Sequence, residues 1–450
     1  MGAVLSYAAG TAMATKDFVR QRRSTTTDAM AGWSGLPDDL LFTIMALLDV
    51  PSLRRAGAVC KSWRAAHHAF RLPELERAPC LLYACEEYGP DDAALYCPAT
   101  GATFRVPFPG PPHEKRGFAF ASQGGWVFTT DEIGNPYLLN PVTGAQAVLP
   151  PLKTIYGTDK FYDDHGKHVW PAAPEYGIMK PKISWARHRE FWGVAISAAA
   201  KAKECTVLIV NMSWFGLSFA RPGDKRWTRV IPKDTHAVGD ILYNDKDGLF
   251  YILYYNGSIG TLDLSGPSPS LTMIMRREIS SSPFHTMYLA LGPSGELLEV
   301  ERKWSPKNVS LKYHDTYRDI NLASEDDQDI DASPPLDMAH RIVKKASTVQ
   351  LLVFKVDIKR RKLVKLRDIG DHALFLGLNS AVCLPTKDFP AFEPNSVYLT
   401  DACLYYGPML RKDLCIWNIR NRSMQKLDDA WPNMYSWLHL PAPIWIMPRF

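Results

Sequence analysis

Few residues in this chain have the types and spacing that chemistry requires. Asp163, Asp164, His165 and His168 make the one ligand-like cluster, in a stretch flanked by glycine and proline. A zinc site needs three or four convergent ligands held by a second layer of hydrogen bonds, and nothing nearby supplies the missing ones. The eight cysteines (Cys60, Cys80, Cys85, Cys97, Cys205, Cys383, Cys403 and Cys415) are scattered without CxxC spacing. They read as reduced thiols of a cytosolic or nuclear protein. No phosphate-binding loop, nucleophile elbow, HExxH or dinucleotide fingerprint occurs. The remaining histidines and the tryptophans read as packing residues. The sequence therefore predicts no catalytic residue, no metal and no cofactor.

The elements that would position a binding site are more informative. The chain has 450 residues, 46% of them hydrophobic, with 52 basic against 47 acidic residues. That length and composition suit a small module plus one large globular domain. A net charge of +5 does not single out nucleic acid, and no apolar run approaches a membrane span. Residues 1–32 are rich in Ala, Thr, Ser and Arg without periodicity and read as a disordered tail. Gly2 and Ser6 fit a myristoylation pattern, with Lys16, Arg20, Arg22 and Arg23 as a basic second signal; the acid-poor composition also resembles a transit peptide.

From Trp33 to Arg71 helical spacing takes over. Leu36-Pro37 precedes Asp38 and Asp39, a proline and two carboxylates suited to a first helical turn. Leu40, Leu41, Ile44, Leu47 and Leu48 follow on one face, with Phe42 and Met45 on the other. Asp49 to Ser52 starts a second helix through Leu53 to Ala56, and a third runs from Ala58 to His68 with Val59, Cys60 and Trp63 on one side. About forty residues cannot bury so much apolar surface alone, which argues for a partner. Leu36, Pro37, Leu40, Leu41, Ile44, Leu48, Leu53, Val59, Cys60, Trp63 and Arg64 resemble the F-box pattern. The resemblance implies that residues 33–72 dock on a Skp-type adaptor and through it on a cullin ubiquitin ligase. Leu40, Ile44, Val59 and Trp63 are expected to lie partly exposed until that partner covers them.

After a linker at 73–79 the period changes to short strands between Gly, Pro, Asn and Asp turns. Leu95 to Ala102 (LYCPATGA) recurs as Leu138 to Ala145 (LLNPVTGA), about 43 residues on, close to one propeller blade. Further hairpins include Leu249 to Leu264 about Asn256-Gly257, and Leu351 to Leu366 about Lys359 to Lys362. Many short, evenly spaced strands predict an all-β closed array over 80–450, with a sandwich as the alternative. The stretches at 137–150, 241–264, 288–302 and 353–403 resemble plant F-box proteins that carry domain of unknown function 295 (DUF295), the KIB-type β-propeller. The resemblance implies an α+β multidomain chain: three F-box helices, then a propeller of six or seven blades.

Two charged runs stand apart. Ser324 to Asp331, inside an acidic insertion at 320–340, is expected to be a solvated loop between blades, with a docking segment for a basic partner as the alternative. Lys359 to Lys362 is expected to be a hairpin turn rather than a nuclear localisation signal. The family implies a non-catalytic substrate-recognition subunit of a Skp–cullin–F-box (SCF) ligase acting in protein ubiquitination. Its propeller would hold an unknown protein substrate, in the cytoplasm or nucleus, without nucleic acid or membrane. Alternatives are a propeller that sequesters its partner without degradation, and a small-ligand binder. For the tail, an unmodified Gly2 is expected, and the intact mass of the mature N-terminus checks it; a mass increment of one myristoyl group overturns it.

Overall fold

The computed structural model describes residues 33–69, 78–89, 91–109, 120–121, 124–131, 134–155, 191–197, 204–211, 216–231, 236–279, 284–312, 340–400, 410–411, 414–430 and 443–448. A 3-10 turn at Trp33–Gly35 leads into α1 (Asp38–Ala46), α2 (Val50–Ala56) and α3 (Lys61–His68). Pro37 caps α1 with Asp38 and Asp39 in its first turn. Asp49 caps α2 by accepting the Ser52 N–H at 2.9 Å.

The strands of the rest of the described chain form six sheets, with short helical segments at Glu86–Tyr88, Leu152–Thr154, Thr386–Asp388 and Leu427–Ala430 between them. Blade 1 holds β1 (Cys80–Tyr83), β2 (Asp92–Cys97) and β3 (Ala102–Pro107), joined on the far side of β1 by β26 (Ile444–Ile446). Blade 2 holds β4 (Phe120–Ala121), β5 (Val127–Thr130), β6 (Pro136–Asn140) and β7 (Ala145–Val148). Blade 3 runs from β8 (Phe191–Ile196) through β9 (Val207–Asn211) and β10 (Gly216–Ala220) to β11 (Thr228–Val230). Blade 4 runs from β12 (Val238–Asn244) through β13 (Leu249–Tyr254) and β14 (Ile259–Asp263) to β15 (Ser270–Met275). Blade 5 holds β16 (His285–Leu291), β17 (Leu297–Lys312), β18 (His340–Asp357) and β19 (Lys362–Lys365). Blade 6 holds β20 (His372–Leu376), β21 (Val382–Pro385), β22 (Ser396–Thr400), β24 (Leu414–Asn418) and β25 (Met424–Lys426). A two-residue strand, β23 (Leu410–Arg411), pairs in parallel with β18. The blade number is therefore six.

The repeated Pro-x-Thr-Gly turn does in both copies what its residues predict. Gly101 and Gly144 sit at φ +67° and +73°, a region open to glycine at no steric cost. The hydroxyls of Thr100 and Thr143 accept the N–H groups of Ala102 and Ala145. Both turns join the third and fourth strands of their blades. Lys359 and Arg360 lie in the β18–β19 turn, with Arg361 at φ +52° and the Asp357 carboxylate accepting the Arg360 N–H.

Two expectations need correction. The acidic run does not join blades: β17 and β18, the strands on either side of it, belong to one sheet, so it connects strands within blade 5. The run itself lies outside the described residues, as do the tail at 1–32, linker residues 73–77 and Cys403. Strand pairing also reaches further than the hydrophobic alternation shows, from Leu298↔Lys355 out to Lys312↔His340. Residues 305–312 and 340–345 are too polar to be read as strand from sequence, and their pairing is held by the backbone in a ribbon of β17 and β18 that β23 joins at Lys344 and Lys345.

β26 closes the ring by pairing with β1 in the register Cys80↔Ile446 and Leu82↔Ile444. Trp445 then lies edge-on to Phe375 of β20 at 5.0 Å and close to Phe392 and Tyr398. Blade 1 is thereby locked to blade 6 through an aromatic cluster. Trp445→Ala is expected to lower stability by about 3–5 kcal/mol, the usual range for removing a buried large aromatic, measured by urea unfolding. A loss below about 1 kcal/mol would mean that the closure does not carry the ring.

Candidate functional site

The F-box helices divide their apolar residues between two faces. Leu41 and Met45 of α1, Val50 and Leu53 of α2, and Trp63 and Ala66 of α3 are buried in one cluster with residues of blades 1 and 2. Leu36, Phe42, Ile44, Leu48 and Cys60 pack partly against it. On the other side Leu40 is 52% exposed, Leu47 71% and Val59 58%. Pro37 and Arg64 are exposed as well. The helix is thus covered by the propeller on one side and left open on the other, as expected of a helix that is apolar nearly all round.

Trp63 departs from the expected exposure. It is only 8% exposed, and its indole Nε1 donates to the Trp33 carbonyl at 2.7 Å. With Ser62 Oγ donating to Ser34 O at 2.9 Å, this ties the turn at 33–35 onto α3. Burial satisfies the indole N–H, and that requirement was invisible in the pattern. Leu47 and Trp33, both exposed, enlarge the open face beyond the residues singled out by the family pattern. The spacing of Leu47 from Leu40 and Ile44 was the available signal for the first. Nearby, the Cys60 thiol lies 3.1 Å from Ser62 Oγ, and this side-chain contact leads the lowering of its pKa. Gly57 is required for space: a Cβ there would meet the His67 ring at 2.7 Å.

A second site lies at the edge of blades 4 and 5. Three connections converge there: the approach to β12 at His236, the β13–β14 turn at Asn256–Ser258, and the exit from β15 at Arg276–Glu278. They enclose a cavity of about 330 Å³. Gly257, at φ +80°, lets the turn pass under Arg277, whose guanidinium carbon would lie 3.0 Å from any Cβ added there. Arg277 Nη1 donates to both oxygens of Glu299 at 2.7 Å. Glu299 is fully buried, which pushes its pKa up against the opposing pull of Arg277. Glu301 lies 3.6 Å from Arg277 Nη2 and 3.7 Å from His285 Nε2; the His285 contact leads the lowering of its pKa. Sequence periodicity gave no hint of this cluster, because Glu299 and Arg302 interrupt an apolar strand at positions that look solvent-facing.

Asp163, Asp164, His165 and His168 lie outside the described residues, as does Gly2. Among the described residues no group of three or more His, Cys, Asp or Glu could hold a metal ion. No described helix is long and apolar enough to cross a membrane.

A three-helix module with one open apolar face, seated on a six-bladed ring, defines an F-box protein with a propeller. Comparison bears this out: residues 33–71 match the F-box-like family, and residues 95–418 match the KIB1-4 beta-propeller. The second match spans well over half of the chain, which belongs to the KIB1-4 beta-propeller family. Similar proteins from Arabidopsis thaliana include F-box protein At2g05970, 22% identical over 83% of this chain and 86% of its own. Another is the probable F-box protein At4g22165, 24% identical over 88% and 91%. Among solved structures, the Myceliophteria thermophila Cps50 (Swd1) beta-propeller domain aligns with 64% of this chain and 86% of its own at 12% identity and a TM-score of 0.28. The six-bladed ring itself is read from this chain's own strand pairing.

One titratable group links blades 4 and 5. The Asp240 carboxylate on β12 accepts the Leu289 N–H of β16 at 2.6 Å and the Ile241 N–H at 2.8 Å. Desolvation among the inner strands outweighs these two donors and raises its pKa from 3.8 to about 7. A carboxyl with a raised folded-state pKa favours folding fully below its unfolded value and loses that contribution as pH rises through the folded one. Asp240→Asn is expected to gain on the parent in thermal midpoint between pH 5 and pH 8. A parent–variant difference that is constant across that window would sink the assignment.

Proposed function

We propose that this chain is a substrate-recognition subunit of a Skp–cullin–F-box ubiquitin ligase. The observation that carries the reading is the open face of Leu40, Leu47 and Val59 beside an inner face already buried on the propeller. A patch of that kind on an otherwise packed module marks a protein–protein contact. Leu36, Pro37, Ile44, Leu48, Cys60 and Arg64 border it, while Leu41, Leu53 and Trp63 support it from beneath. The Skp-type adaptor covers the open face, and the cullin is reached only through the adaptor. The chain makes and breaks no bonds. It raises the effective concentration of a bound protein substrate beside a ubiquitin-charged enzyme, so that transfer behaves as an intramolecular step. The propeller supplies the substrate surface on its connections, where sequence can vary without disturbing blade cores. Action in the cytoplasm or nucleus follows from this role.

Replacing Leu40 and Val59 together by Glu in the full chain tests the assignment. Adaptor capture is expected to weaken by at least about 100-fold, since two central apolar anchors at ~2 kcal/mol each exceed that factor. The thermal midpoint should be unchanged, because neither side chain is buried. Equal adaptor capture by parent and variant overturns the reading.

A further inference from the structure

The cavity among the blade 4 connections, beside Glu299 and Glu301 of blade 5, is placed and built for recognition. Antiparallel alternation puts the ends of β11, β13 and β15 at the same end of the blades, and β17 runs out toward that end as the ribbon paired with β18. Exposed Phe284 and Val349 flank the ribbon base, adding apolar surface beside a polar cavity, the usual make-up of a peptide-docking site.

The polar groups differ in how far they are committed. Glu299 is held by Arg277, Glu301 lies within ion-pair distance of Arg277 and His285, and Glu278 receives the Asn256 side-chain N–H at 3.4 Å. On the donor side, Arg277 Nη2 lies 3.6 Å from Glu301, beyond hydrogen-bond reach, which leaves its N–H groups for a ligand in the cavity that Arg277 lines. Arg276 and His236, which line it, are exposed, as is Lys303 on β17. The sequences at 302–312 and 340–352, which form and adjoin the ribbon, hold seven Lys or Arg and no Asp or Glu. A guanidinium fixed from behind by a buried carboxylate and cradled over a glycine is preorganised for an anionic oxygen.

We infer that this cavity is the substrate-docking site, and that it takes an acidic side chain of an extended protein segment on Arg277, with Arg276 and Lys303 at its rim. The inference deepens the receptor reading and rests on it. Carboxylate and phosphoserine share the required chemistry, and the test separates them.

The experiment uses the immobilised full chain, with adaptor capture measured separately, and a random dodecamer peptide library displayed on phage. Selected peptides are expected to share an Asp or Glu. Synthetic copies should bind at least tenfold more weakly when that residue is Gln or Lys, and about as well when it is phosphoserine. Arg276→Glu with Lys303→Glu, both at exposed positions, should cost at least tenfold in peptide affinity and leave adaptor capture unchanged. Arg277→Gln with Glu299→Gln, which replaces the ion pair by a neutral one, should also abolish binding; if it fails to fold, the exposed pair still decides. Peptides lacking a common acidic residue overturn the inference, as do peptides insensitive to both variants, or an empty selection on protein that captures its adaptor. Preference for a single-stranded oligonucleotide over every selected peptide overturns it too. Failure of the parent to capture adaptor would instead count against the receptor reading, and the peptide data would still judge the cavity.

Discussion

A closed ring of sheets must end where it began, and in this chain three residues meet that demand. β26 lies more than three hundred positions from its partner β1, so until the two ends meet β26 has no partner and β1 is paired only with β2. Until then β1 presents an open edge, and Leu81 and Leu82 lack half of their surroundings. Closure gives blades 1 and 6 their second neighbour, which the blades between them already have. The aromatic cluster of Phe375, Phe392, Tyr398 and Trp445 sits at that seam, where a large apolar contact can offset the loop-closure entropy of so distant a pairing.

The second organising feature is the continuity between helices and ring. One apolar cluster runs from Leu41 and Met45 through Trp63 to Leu82, Leu95, Phe128 and Leu138. α2 lies against β3, and a Cβ on Gly144 of the blade 2 turn would touch Pro51. The open side of α1 is therefore presented by a helix whose other side is fixed, which lowers the ordering cost for any partner that docks there.

Much of this was legible in the chain. The Thr-Gly turns announced their left-handed glycines and Asn256-Gly257 announced a hairpin, but the helical register put Leu40 with Leu41 and set Met45 on the opposite face, whereas Leu41 and Met45 are buried together and Leu40 and Leu47 are exposed. Other features were hidden for definite reasons. Trp63 reads as a docking aromatic until its N–H is seen to need the Trp33 carbonyl. Glu299 and Arg302 read as exposed because a strand pattern cannot show that a long polar residue is buried with a partner. The ribbon at 304–312 and 340–349 was missed because backbone pairing leaves no hydrophobic trace. Within 371–401, the stretch with the most specific family resemblance, the parallel pairing of β20 with β22 was equally hidden. Parallel order follows from where β21 folds back, and no local residue preference encodes it.

The shared cluster beneath α1 has a consequence for modularity. F-boxes are easily imagined as interchangeable plugs, yet here Leu41, Met45, Leu53 and Trp63 have their complement in blades 1 and 2. A graft of this module onto another receptor would carry a bare apolar underside, and a foreign module placed here would leave Val106 and Phe104 poorly covered. The helices share one core with the first blades of the ring, and chimaeras cut at residue 72 divide that core rather than a linker.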